Sequence, residues 1–130
     1  METSAKKVLI VDDDMPILKG ISDKFTHEGF LVINAKNGEE GLSMALKEHP
    51  DLIITDILMP KVDGLFFLES LRKNEWGKDA PVFIWSNSHN SSTLEQAKKL
   101  GVIEFLVKSD WEYRDIVNKV REILGVEKDK

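Results

Sequence analysis

A chain of 130 residues, 42% hydrophobic and 32% charged, is long enough to bury the core of one domain and has the composition of a soluble globular protein, neither disordered nor membrane-embedded. Its net charge of -5, with no run of Lys or Arg longer than two, argues against nonspecific nucleic-acid binding, which needs a basic stripe, and the absence of cysteine removes disulfides, thiolate zinc sites and thiol nucleophiles together. The polar start, residues 1–7, has no secretory pattern and the longest apolar runs are of strand length, so a cytoplasmic location is expected.

In chain order, the apolar run at residues 8–11 predicts a first strand that leads straight into Asp12, Asp13 and Asp14. Ile17, Ile21 and Phe25 then recur at helical spacing up to Gly29, a helix stop. A second strand is expected at residues 30–33, a loop at 34–38, and a second helix through Leu42, Ala45 and Leu46 that ends before Pro50. Leu52, Ile53, Ile54 and Thr55 form a third strand that ends on Asp56. Beyond it Ile57, Leu58 and Met59 lead to Pro60, which cannot continue a ladder, and to a turn at Asp63 and Gly64 from which a third helix, residues 65–73, can start. Gly77 and Pro81 frame the passage to a fourth strand at 82–85, followed by Ser86. A fourth helix carries Leu94, Ala97 and Leu100, and Gly101 closes it. The fifth strand, 103–107, delivers Lys108, and the last helix carries Ile116, Val117, Val120, Ile123 and Leu124.

Five strands alternating with five helices predict an α/β domain over residues 5–126, a parallel sheet covered by helices on both faces, with 127–130 a solvated tail and no effector domain. Parallel strands bring their carboxyl ends to one edge, where open α/β sheets bind ligands at the point at which strand order reverses. If the first and third strands are neighbours there, Asp12 and Asp13 face Asp56. Clustered acids repel, and a bound cation resolves that repulsion. An all-oxygen set without His or Cys suits a hard ion, Mg²⁺ before others. Asp14, just before Met15 and Pro16, is expected to cap the first helix, and Asp63 to serve the turn. His27, His49 and His89 have no ligand spacing and are given no metal role.

With these residues in place, the chain resembles the receiver domains of two-component response regulators, the CheY-like family, over about residues 6–124. The resemblance implies a doubly wound five-stranded sheet of order 2-1-3-4-5. It also implies Asp56 as phosphoacceptor, Asp13 as a direct Mg²⁺ ligand, Asp12 holding the ion mainly through water, and the Leu58 carbonyl as a further ligand. Ser86 matches the switch hydroxyl, Phe105 the switch aromatic, and Lys108 the lysine that contacts the phosphoryl group. The partners implied are a sensor histidine kinase or phosphotransfer protein, and a downstream protein read through the fourth helix, fifth strand and fifth helix. Direct nucleic-acid binding, membrane association and enzymatic turnover are not expected, and the chain is expected to be a monomer or weak dimer.

Two positions depart from the family pattern. Asn87 stands where a small residue is common, and is expected to narrow access to Asp56. Ser109 stands where proline is usual. A cis bond before serine costs about 2.5–4 kcal/mol, against about 0.5–1 kcal/mol before proline, so a trans Lys108–Ser109 bond is expected, with the Ser109 N–H finding an acceptor in the turn or in water.

Three other readings compete. A haloacid-dehalogenase-type phosphatase would make Asp12 the nucleophile and Asp14 the general acid, but Pro16 stands where that motif needs threonine and there is no room for a cap. A receiver-shaped scaffold that is never phosphorylated is disfavoured by the intact acid set. A flavin-binding flavodoxin-like domain lacks the Ser/Thr/Gly-rich phosphate loop after the first strand.

Overall fold

The computed structural model describes residues 5–57, 64–87 and 91–126. Among these, strands β1 (Lys7–Val11), β2 (Leu31–Ala35), β3 (Leu52–Thr55), β4 (Val82–Ser86) and β5 (Glu104–Val107) form one parallel sheet in the order β2-β1-β3-β4-β5. Helices α1 (Met15–His27), α2 (Gly38–Glu48), α3 (Gly64–Lys73), α4 (Ser91–Lys99) and α5 (Tyr113–Leu124) alternate with the strands, and short 3-10 turns follow at Gly77–Asp79 and Lys108–Asp110.

The order explains the burial. β3 and β4 sit between neighbours and are buried at every position, whereas β2 and β5 lie at the edges and are mostly half-buried or exposed. Val8, Ile10, Ile54, Phe83 and Trp85 face one way, against Leu18, Ile21 and Phe25 of α1 and Ile116, Val117 and Val120 of α5. Leu9, Val11, Ile53, Val82 and Ile84 face the other way, against Ala45 of α2, Phe67, Leu68 and Leu71 of α3 and Ala97 of α4. The period-2 alternation of strand side chains divides one sheet between two cores.

The second strand departs from expectation at both ends. Pairing with β1 runs from Lys7 opposite Leu31 to Val11 opposite Ala35, so Asn34 and Ala35 belong to the strand and the loop shrinks to Lys36 and Asn37. Phe30, expected in the strand, instead precedes it and packs edge-on against Phe25, with ring centroids 5.1 Å apart. Ile103 likewise lies outside β5 and is exposed.

A polar tie closes the α1–α5 face. Arg121, buried on α5, donates to the Glu28 carboxylate at 2.7 Å and to the Glu28 carbonyl at 3.2 Å, while Lys24 pairs with the same carboxylate at 3.1 Å. The hydrogen bond from Arg121, then that from Lys24, lowers the Glu28 carboxyl to about 2 from an ordinary 4.5. A depressed carboxylate stabilises the fold above its unfolded pKa, and that stability is lost as pH falls through the folded value. Glu28→Gln is therefore expected to flatten the stability curve between about pH 4.5 and pH 2 while leaving the lower-pH limb unchanged. Urea titrations at several pH values check this, and parallel curves for the two proteins would refute it.

Candidate functional site

β1 and β3 are hydrogen-bonded neighbours, with Val11 opposite Thr55, so the chain leaves both strands at the same height. The next residues, Asp12 and Asp56, therefore emerge side by side, and the Asp56 N–H donates to the Val11 carbonyl at 2.9 Å. Asp12, Asp13 and Asp56 present carboxylate oxygens that all lie within 4.8 Å of one another. Asp12 is 1% exposed and Asp56 9%, while Asp13 is open to solvent.

Both oxygens of Asp56 are engaged. The Ile57 N–H at 2.6 Å and the Ser86 hydroxyl at 2.8 Å donate to Oδ1, and the Lys108 ammonium donates to Oδ2 at 2.9 Å. Ser86 reaches the site because it is the last residue of β4, beside β3, and it is buried. It does not cap α4, which begins at Ser91. Lys108 arrives from the end of β5, crosses the Trp85 ring with its Nζ 5.5 Å from the centroid, and ends between Asp56 and Asp12. The aromatic face supports the cation on its way to the acids.

Lys108 also lies 2.7 Å from Asp12 Oδ2, a close ion pair with a buried carboxylate. The other oxygen of Asp12 accepts from the Asp14 N–H at 2.9 Å. Burial raises the Asp12 carboxyl above its ordinary value, and the Lys108 ammonium and the Asp14 N–H only partly counter it. Burial works to lower Lys108, but Asp12 and Asp56 outweigh it and the ammonium is held above its ordinary value. The site thus concentrates negative charge that one lysine partly balances.

This arrangement fits a hard divalent cation. A buried carboxylate beside two further carboxylates, with no nitrogen or sulfur ligand grouped with them among the described residues, is the hard-oxygen donor set that Mg²⁺ takes. The Leu58 carbonyl, expected as a further ligand, lies outside the described residues, as do Asp63 and His89. Asp14 is taken up as the cap of α1, its side chain accepting from the Ile17 N–H at 3.2 Å, so it has the helix-capping role and not that of a general acid. Phe105 pairs in register with Ile84 and is half-buried against the core on the side of α2, α3 and α4.

The sequence model described as "Response regulator receiver domain" matches residues 8–121. The chain belongs to the response regulator receiver family. It is 30% identical to "Probable transcriptional regulator ycf27" of Cyanophora paradoxa over 95% of this chain and 50% of that protein. The receiver also superposes on the chemotaxis response regulator CheY4 of Vibrio cholerae, with a TM-score of 0.83 at 27% identity, covering 92% of this chain and 99% of that one. A CheY-like receiver domain protein from Methanospirillum hungatei gives a TM-score of 0.87 at 27% identity, with 94% and 95% covered. The receiver spans about half the length of the ycf27 proteins it matches.

Two features of the site were not foreseen from the residues. One is Trp85 beneath Lys108. The other is the bond that joins the two positions departing from the family pattern, in which the Ser109 N–H donates to Asn87 Oδ1 at 3.1 Å. No peptide bond among the described residues is cis, so Lys108–Ser109 is trans as expected, and the acceptor for Ser109 is a side chain on the neighbouring loop. The missing proline was the available signal, since it leaves an N–H that needs an acceptor.

Proposed function

We propose that this receiver takes a phosphoryl group on Asp56 from a sensor histidine kinase, a phosphotransfer protein or a small phosphodonor, and that the modified site changes a protein-binding surface on α4, β5 and α5. The observation that carries this reading is the set of groups around Asp56: Lys108 on one oxygen, Ser86 and the Ile57 N–H on the other, and two acids alongside. An Asp56 oxygen attacks phosphorus, the bond from phosphorus to the donor atom breaks, and the donor leaves with the electron pair. Lys108 then follows the negative charge from the carboxylate onto a phosphoryl oxygen, and the Ser86 hydroxyl donates to another.

Asp13 and Asp56, with Asp12 behind them, would hold Mg²⁺, together with the Leu58 carbonyl. When bound, the ion supplies positive charge next to the transferring phosphoryl oxygens. Transfer of the Ser86 hydrogen bond from Asp56 to a phosphoryl oxygen shifts the loop after β4, and Phe105, half-buried on β5, turns in response; this is the switch. The reading makes the chain a cytoplasmic signalling domain and not a turnover enzyme.

Incubation with acetyl phosphate and Mg²⁺ followed by intact mass measurement tests this. One phosphoryl group is expected on the wild-type protein and none on Asp56→Asn. Uptake that survives Asp56→Asn, or no uptake by the wild type from acetyl phosphate or a histidine phosphodonor, would sink the proposal.

A further inference from the structure

We propose that Asn87 is a positioning residue for Lys108, acting through the peptide that follows the lysine. The last registered pair between β4 and β5 is Ser86 opposite Val107, so Asn87 and Lys108 begin the two loops that leave this part of the sheet. Beyond that pair the loops are tied by the Ser109 N–H donating to Asn87 Oδ1 at 3.1 Å. Residues Lys108–Asp110 form a 3-10 turn with no side-chain cap from its preceding residue. The leading N–H groups of such a turn have no partner within it. Asn87 supplies one from outside.

Each end of this bond directly follows a residue whose side chain donates to Asp56. Ser86 precedes Asn87 and donates to Oδ1, while Lys108 precedes Ser109 and donates to Oδ2. A bond one residue beyond each donor holds both loops in a fixed relation, so the lysine's direction depends on a side chain from the loop after β4. Lys108 has four rotatable side-chain bonds, and a drifting backbone at its own carbonyl would spread the ammonium over many positions. Asp12 and Asp56 hold the ammonium itself, while the Trp85 face under its path and the Asn87 bond behind it keep the stem and backbone in line.

The bond is exposed, so water competes for it and its loss costs a modest factor. The test is hydrogen exchange measured by NMR on the unphosphorylated, metal-free protein, reading the Ser109 amide and the Lys108 ammonium protons in wild type, Asn87→Ala and Asn87→Asp. Phosphoryl uptake from acetyl phosphate with Mg²⁺ is then timed in the same proteins. In Asn87→Ala both sets of protons are expected to exchange about threefold to tenfold faster, and uptake to slow by a similar factor. Asn87→Asp keeps an acceptor oxygen and is expected to restore the protection of Ser109.

An unchanged Ser109 amide in Asn87→Ala overturns the bond, and unchanged Lys108 protons overturn the positioning role. Faster uptake in Asn87→Ala overturns it in favour of a side chain that narrows access to Asp56. The effect on uptake rests on Asp56 being the phosphoacceptor. If wild type itself takes up no phosphoryl group, that reading fails, while the positioning of Lys108 is decided by the two exchange rates.

Discussion

Lys108→Met is expected to lower the stability of the metal-free receiver by about 3 kcal/mol at neutral pH, a large share of the roughly 5–15 kcal/mol that holds a domain of this size. The lysine side chain is 9% exposed and sits 2.7 Å from Asp12 and 2.9 Å from Asp56, the only cation paired with either among the described residues. Removing one partner from a buried ion pair leaves the other charge uncompensated, which costs about 3–5 kcal/mol. The lower end applies because Asp12, whose carboxyl is already raised by burial, can take up a proton. Methionine keeps most of the stem that crosses Trp85, so the loss reports charge more than packing. On this scale the melting temperature falls by roughly 10 °C. Added Mg²⁺ should recover much of the loss, because the ion neutralises the same acids and binds only the native state. Thermal melts with EDTA and with Mg²⁺ check this. Equal melting temperatures for Lys108→Met and wild type in EDTA would show that Lys108 does not balance the acids.

The prominence of Lys108 was legible in the sequence only as a place. Alternating strand and helix patterns put it at the end of the fifth strand, on the edge shared with Asp12, Asp13, Asp56 and Ser86, and the parallel sheet delivers all five there. What periodicity cannot supply is which strands are neighbours. The adjacency of β1 and β3, on which the meeting of Asp12 and Asp56 depends, came from family resemblance and is met in the register of Val11 with Thr55. Asn34, a common turn residue, hides the end of β2 in the sequence. Its partner on β1, Ile10, holds it in the ladder, and its amide reaches the Ser22 hydroxyl at 3.4 Å.

Contacts made by long side chains were the least legible. Arg72, near the end of α3, donates to the carbonyls of Leu100, Gly77, Ala80 and Gly101 at 2.6 to 3.3 Å, joining α3 to the turns before β4 and after α4. Such a basic residue late in a helix reads as solvated or dipole-paired, and nothing in the sequence around Leu100 and Gly101, 28 and 29 residues away, suggests the tie. Asn87 and Ser109 were singled out separately, one as an obstruction and the other as a missing proline. Their pairing needs the loops of β4 and β5 side by side, a fact of tertiary structure.

Asp13→Asn is expected to move stability and phosphoryl transfer in opposite directions. Asp13 is exposed, but its carboxylate lies within 4.8 Å of those of Asp12 and Asp56, and no ion pair or hydrogen bond of its own offsets that repulsion among the described residues. Two unit charges at about 4 Å interact by about 1 kcal/mol even in water, so neutralising Asp13 should stabilise the metal-free protein by about that much. The same change removes the most accessible of the three carboxylates from the proposed Mg²⁺ site. Wild type should therefore melt at a higher temperature as Mg²⁺ is added, and Asp13→Asn should respond much less. Charge neutralisation by such an ion is worth several kcal/mol in a transition state, and about 2.7 kcal/mol is a hundredfold in rate. Uptake from acetyl phosphate is thus expected to fall by at least about a hundredfold in Asp13→Asn, although the protein is more stable. Gain of stability with loss of transfer separates a metal-site residue from a structural one, because a residue needed for the fold would lose both. A variant that melts lower than wild type in EDTA, or that keeps its Mg²⁺ response and its uptake rate, would remove Asp13 from the metal site.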